Sequence, residues 1–140
     1  MIRGVINHRE FKTQVADMSG LTFGKITPTD LDAFMDFNNK LFVFVEAKHG
    51  TSKMPYGQQL AIERLCDACH QPPIRYAVAF VTSHNTSGDI DFASTTVTKY
   101  RWGGKWLTPQ SMGATLVQGV NRFRQLCLSS NVVNFQRAGA

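Results

Sequence analysis

Hydrophobic residues fall along this chain with a period that changes several times, and each change marks an element. In residues 7–18, Phe11, Val15 and Met18 recur at helical spacing within polar sequence, which predicts a short helix ended by Ser19-Gly20. Residues 21–26 predict a short strand, closed by the Thr27-Pro28-Thr29 breaker. The strongest extended signals cover residues 31–37 and 41–48, on either side of the polar turn Asn38-Asn39-Lys40. The second run opens Leu41-Phe-Val-Phe-Val45, apolar at every position, as expected of a strand inside a sheet covered on both faces.

Beyond a loop over residues 49–55, the stripe Ala61, Ile62, Leu65, Ala68 and Cys69 predicts a helix over residues 56–69, stopped by Pro72-Pro73. Residues 74–81 predict another buried strand and residues 83–89 a polar loop. Residues 90–102, rich in Thr, Val and aromatics, predict a further strand. Gly103-Gly104 turns the chain. Thr108-Pro109 then offers an N-cap and first-turn pair for a last helix reaching about residue 128, and the tail from Ser129 is expected to fray. No repeat or low-complexity linker divides the sequence, so a single domain over 1–140 is expected. Its core covers about residues 7–82, with an added strand and helix over about 90–128. Helix, three strands, helix, strand, then one more strand and helix make an α/β sandwich: a mixed central sheet flanked by helices.

Composition narrows the function classes. The chain is 43% hydrophobic and 18% charged, enough to bury a core and too apolar for intrinsic disorder. Lys and Arg number 15 against 10 Asp and Glu, a formal net charge of +5 that favours a polyanionic partner, nucleic acid before membrane. No run approaches a membrane span, and the first ten residues lack the apolar stretch of a signal peptide. Three cysteines form no secreted disulfide framework, so the expected setting is cytoplasmic.

The hairpin carries the candidate chemistry. With a three-residue turn at 38–40, Phe37 faces Leu41, and that register sets Asp32 opposite Glu46 with both side chains on one face. Strand alternation puts Lys48 on the same face. A two-residue turn would shift this pairing by one. Glu46 ends a run of five apolar residues, where a carboxylate is costly unless a cation or hydrogen bonds satisfy it. Two carboxylates facing each other repel, and a hard cation such as Mg²⁺ relieves that repulsion. The bland alternative is a surface cluster of salt bridges where the strands leave the core.

Thr29-Asp-Leu-Asp32 leading into a strand, followed by Phe44-Val-Glu-Ala-Lys48, resembles the PD-(D/E)XK nuclease superfamily. That superfamily includes restriction endonucleases, Holliday-junction resolvases and phage repair nucleases, and its core order of helix, three strands, helix, strand is similar to residues 7–82. The resemblance implies a restriction-endonuclease-like fold and a DNA endonuclease using Mg²⁺, with Mn²⁺ able to substitute. It implies Asp32 and Glu46 as metal-binding acids, the Ala47 carbonyl as a further ligand and Lys48 as the catalytic lysine. Asp30 is the rival to Asp32, and the proline of the motif is displaced to Pro28. Members of the superfamily add an acid from the first helix, here Glu10, or a glutamine from the helix after the lysine strand, here Gln58 or Gln59. Small relatives work as dimers in DNA recombination, repair or phage DNA processing, which makes a homodimer the expected state, with residues 100–106 and the last helix as its face. Branched or junction DNA is one candidate substrate, and the sequence leaves the preferred DNA structure open. A DNA-binding module that keeps the fold without catalysis is the alternative.

The remaining basic and aromatic residues fit a nucleic-acid surface. His49, Lys53 and Tyr56 lie in or beside the loop next to the proposed site, where phosphate contacts are common. Arg101, Lys105, Arg122 and Arg124 add charge later, and Trp102 and Trp106 are interleaved with two of them, an arrangement suited to base stacking as well as to core packing. One motif competes. Cys66-Asp-Ala-Cys69-His70 matches the c-type haem attachment pattern, with Met54 or Met112 as a second axial ligand. The same residues with Cys127 make a candidate zinc site. The plainer reading is buried cysteine on an amphipathic helix.

Overall fold

A computed structural model describes residues 17–110 and 113–128. Five strands and two helices follow one another: β1 (Ala33–Phe37), β2 (Leu41–His49), α1 (Tyr56–Cys69), β3 (Tyr76–His84), β4 (Thr96–Trp102), β5 (Lys105–Leu107) and α2 (Leu116–Leu128). The strands form one sheet in sequence order. β2 and β3 run parallel, and every other neighbouring pair is antiparallel. A parallel pair needs a long crossover, and α1 supplies it. The expected α/β class and mixed sheet are present.

The β1–β2 turn sets the register on which the site depends. Asn38 and Asn39 both take left-handed conformations, φ 57° and 62°, which Asn tolerates better than any other side-chain-bearing residue. The Asp36 carboxylate accepts from the Asn39 N–H at 2.7 Å, and Arg75 bonds both the side-chain and main-chain oxygens of Asn39. Pairing resumes at Phe37 with Leu41 and runs back to Ala33 with Val45. This is the three-residue register.

Alternation along β2 and β3 then sorts the core into two layers. Val43, Val45, Val78 and Phe80 face α2, whose Leu116, Val120 and Phe123 complete that layer with Val97, Tyr100 and Trp102. Phe44, Ala77 and Ala79 face α1 and pack on Ile62 and Cys66. Both faces of β2 are therefore covered, as its unbroken apolar run requires. α2 approaches closely. A methyl group on Gly119 would stand 2.9 Å from the buried Phe80 ring, so the absence of a side chain there sets the distance between helix and sheet.

Several expectations change. Residues 21–26 do not form a strand. Ser19–Leu21 is a 3₁₀ turn, and Phe23 and Ile26 close a tight bridge over Gly24 at φ 62°. Two strands, not three, precede α1 among the described residues. The expected strand over 90–102 starts only at Thr96, because residues 92–94 form a 3₁₀ turn. The short β5 was not foreseen. The last helix begins at Leu116 and not after Pro109. Its start is a reciprocal cap, in which Gln118 Oε1 accepts from the Thr115 N–H at 2.9 Å and Thr115 Oγ1 accepts from the Gln118 N–H at 3.4 Å. On α1, Leu65 and Ala68 are exposed and the buried stripe is Ile62 and Cys66. The expected first helix lies outside the described residues apart from its last two, as do Glu10, Met112 and the tail from Ser129. Among the described residues, no helix is long and apolar enough to cross a membrane.

Candidate active site

Where β1 ends, β2 continues, and that overhang builds the site. The ladder stops at Ala33 with Val45, so the Ala47 N–H has no strand partner on that side. The Asp32 carboxylate takes its place, with Oδ2 accepting from Ala47 N at 2.8 Å. The N–H and C=O of one strand residue leave on the same side, so the Ala47 carbonyl also points past the end of β1. Asp32 directly precedes the Ala33–Val45 pair, and its carboxylate meets the β2 backbone at the Ala47 N–H.

Glu46 and Lys48 share the α1 face of β2 with Phe44. Glu46 is only 5% exposed, and its Oε1 lies 3.2 Å from Lys48 Nζ. The other oxygen, Oε2, is buried with no hydrogen-bond partner. An ionised oxygen left in this state is expensive, and a pair with one lysine satisfies only half the carboxylate. Lys48 is itself positioned from α1, since Gln58 Oε1 accepts from its ammonium at 2.8 Å. The amide of Gln58 donates to the Asp30 carbonyl at 3.3 Å, which fixes the orientation of the amide, because a carbonyl can only accept. Asp30 thus enters through its main chain, while the carboxylate that reaches β2 is that of Asp32.

These residues make an all-oxygen set, Asp32, Glu46 and the Ala47 carbonyl, beside one ammonium. It fits a hard divalent cation, and Mg²⁺ is commonly held by one or two carboxylates with waters and substrate phosphate completing the shell. Among the described residues, no group of three or more His, Cys, Asp or Glu side chains is gathered to hold a metal. Glu10 is outside the described residues.

The other nominated residues are scattered. His49 ends β2, exposed, with its ring 5.3 Å from that of His84. Lys53 is exposed in the loop after β2, and Tyr56 is 78% exposed at the start of α1. The Arg101 guanidinium is held by both oxygens of Asp67, at 3.0 and 2.6 Å, a pairing that raises its pKa still further. Lys105 begins β5, at the sheet edge opposite β1. Trp102 is buried against His70 and Phe123, and Trp106 donates its indole N–H to Glu63 at 2.6 Å. Tyr100 and Trp102 are core residues, so the rings of residues 100–106 do not all form an outer face. Arg122 and Arg124 are exposed on α2, with Arg124 over the Phe37 ring at 4.7 Å.

The cysteine motif serves the core. Cys66 is buried on the α1 face, and burial pushes its thiol up to about 12. Cys127 packs in the α2 layer across the sheet, and burial likewise pushes it up to about 12. His70 Nδ1 accepts from the Ala77 N–H at 3.1 Å, which places its proton on Nε2. The sheet keeps Cys127 from Cys66, Cys69 and His70, so the four ligands of the zinc alternative are not assembled. Comparison of the chain with protein-family models, curated proteins and solved structures finds no match.

Proposed function

We propose that the chain is a metal-dependent DNA endonuclease of the restriction-endonuclease-like kind, with Asp32, Glu46, Ala47 and Lys48 as its centre. One observation carries the reading: Glu46 is buried beside Lys48 with an oxygen that nothing satisfies. A fold does not keep such an atom for stability, and a cation ligand is the role that explains it. The acidic hairpin, the lysine two residues after Glu46 and the net charge of +5 support the same conclusion.

When bound, Mg²⁺ supplies a more acidic water and neutralises charge on the phosphodiester. The chain's own residues do the rest. Asp32, anchored to the Ala47 N–H just before β1, and Glu46, held on one side by Lys48 on β2, present their carboxylate oxygens. The Lys48 ammonium donates to the attacking water or to a non-bridging phosphate oxygen, where charge develops. Gln58 keeps that ammonium at the site by accepting a hydrogen bond from one of its three N–H groups, and with a second turned to Glu46 one is left for the substrate. Hydrolysis forms a new P–O bond from water, which gives a proton to solvent, and breaks the old P–O bond, whose departing oxygen takes a proton from solvent.

A homodimer, presenting one centre to each strand of a duplex or junction, is part of the same proposal. The test is a panel of supercoiled, linear, single-stranded and four-way-junction DNA, incubated with Mg²⁺, with Mn²⁺ and with chelator. Cleavage of at least one substrate that stops with chelator is expected. Metal-dependent binding with no cleavage of any substrate would favour a non-catalytic DNA-binding module. A strictly monomeric mass in solution at working concentration would remove the dimer.

A further inference from the structure

Beside the acidic hairpin, a cleft of about 480 Å³ runs across the α1 face of the sheet from Lys48 to Lys99. We propose that it takes the sugar-phosphate backbone of the strand being cut, with Lys99 holding a phosphate next to the scissile one; this rests on the nuclease reading above.

The lining is cationic. Lys48, Lys53 and Lys99 contribute ammonium groups, Ser52 and Ser83 contribute hydroxyls, and among the described residues no carboxylate lines the cleft. Hydroxyl and ammonium donors match phosphate oxygens. The volume lies within the range of small-ligand sites, about 300–1,000 Å³, and exceeds what an isolated phosphate would need. Met54 and Val81 add apolar surface for a sugar.

Register fixes the direction. Glu46 pairs with Val81, and Val81 pairs with Lys99, so the three stand in one row across β2, β3 and β4. With neighbouring strands about 4.8 Å apart, the backbones at Glu46 and Lys99 are roughly 10 Å apart. A strand seated at Glu46 therefore extends over Val81 towards Lys99.

Lys99 is held ready for an anion. Its ammonium donates to Gln59 Oε1 at 2.7 Å and sits 4.7 Å from the centre of the Trp106 ring, and neither partner is charged. The nearby Glu63 carboxylate is engaged by the Trp106 indole at 2.6 Å and the Gln59 amide at 3.3 Å. The ion pairs formed among the described residues are Lys48 with Glu46 and Arg101 with Asp67, so Lys99 has a fixed position and a charge that no contacting carboxylate neutralises.

Fluorescence anisotropy of a short labelled single-stranded oligodeoxynucleotide, in chelator so that nothing is cut, tests this. Lys99→Gln is expected to weaken binding about 5- to 10-fold and to lessen the slope of log K against log salt by about 0.7, the loss of one phosphate contact, while Lys99→Arg restores both. Lys53→Gln, in an exposed loop, is expected to weaken binding in the same direction and serves if Lys99→Gln lowers the melting temperature. Unchanged affinity and salt slope in folded Lys99→Gln, or in Lys53→Gln where that variant serves, would overturn the proposal. So would full displacement of the oligonucleotide by equimolar inorganic phosphate, which would make the cleft a free-phosphate site. The two readings separate cleanly. Weakened binding by Lys99→Gln in a protein that cuts no DNA supports the cleft and sinks the nuclease. Unaltered binding in a protein that cuts does the reverse.

Discussion

At the residue scale, the proposed centre makes opposite demands on Glu46 and Lys48 for stability. Glu46→Gln removes a buried charge whose second oxygen is unsatisfied, so the fold is expected to change by no more than about 1 kcal/mol in either direction. Lys48→Met instead leaves Glu46 buried without its counter-charge and is expected to cost about 1–3 kcal/mol. Urea titration of both variants checks the asymmetry, and a larger loss in Glu46→Gln would show that the carboxylate is structural. His70 gives a pH prediction. Burial lowers its pKa below the ordinary 6.5, although Asp67 opposes the shift, and protonation at Nδ1 would set two donors against each other at Ala77. The stability it contributes is present above about pH 6.5 and is lost as pH falls through the lowered folded value. His70→Asn, which keeps an acceptor for Ala77, is expected to flatten the melting temperature between pH 8 and pH 5; parallel curves would contradict this. Glu46 and Lys48 were legible because a carboxylate closing five apolar residues is conspicuous. The proposed role of Lys99 was not, because it rests on the row that Lys99 forms with Val81 and Glu46 on two other strands.

Among the elements, the hairpin was readable from the turn length alone, since residue alternation leaves only two registers and the Asn38-Asn39-Lys40 loop selects one. α1 was readable in its limits but not in its buried stripe. Leu65 suggested one face, whereas packing on Phe44 and Ala79 buries Ile62 and Cys66. The start of α2 was misplaced because Thr108-Pro109 mimics a cap, while the working cap is the Thr115 and Gln118 pair. Thr115→Ala is expected to destabilise by about 1 kcal/mol. Gly119 is a stronger test of the α2 packing. Leucine there would gain helix propensity of about 1 kcal/mol, yet it must displace the fully buried Phe80 ring. A net loss of about 1–3 kcal/mol is expected, and a more stable Gly119→Leu protein would show that the α2 layer is loosely packed. The strand expected over residues 21–26 failed because Gly24 in a left-handed conformation folds Phe23 back onto Ile26.

Across the whole molecule, the sheet separates two tasks. Its α2 face is apolar core, and its α1 face changes from core to polar site along β2, from Phe44 to Glu46 to Lys48. Cys66 and Cys69 lie on the α1 face and Cys127 on the α2 face, which is why the four-ligand zinc set that the sequence offered is divided in space. With a net charge of +5, DNA affinity is expected to fall steeply and linearly on a log–log salt plot, read by anisotropy. The most direct measurement is the single-turnover cleavage rate of the best DNA substrate in Mg²⁺, for wild type and Glu46→Gln at equal, folded protein concentration. A loss of at least about 100-fold is expected in the variant, with DNA binding retained in chelator. Equal rates in the two proteins would contradict the role of Glu46 and, with it, the metal-dependent nuclease.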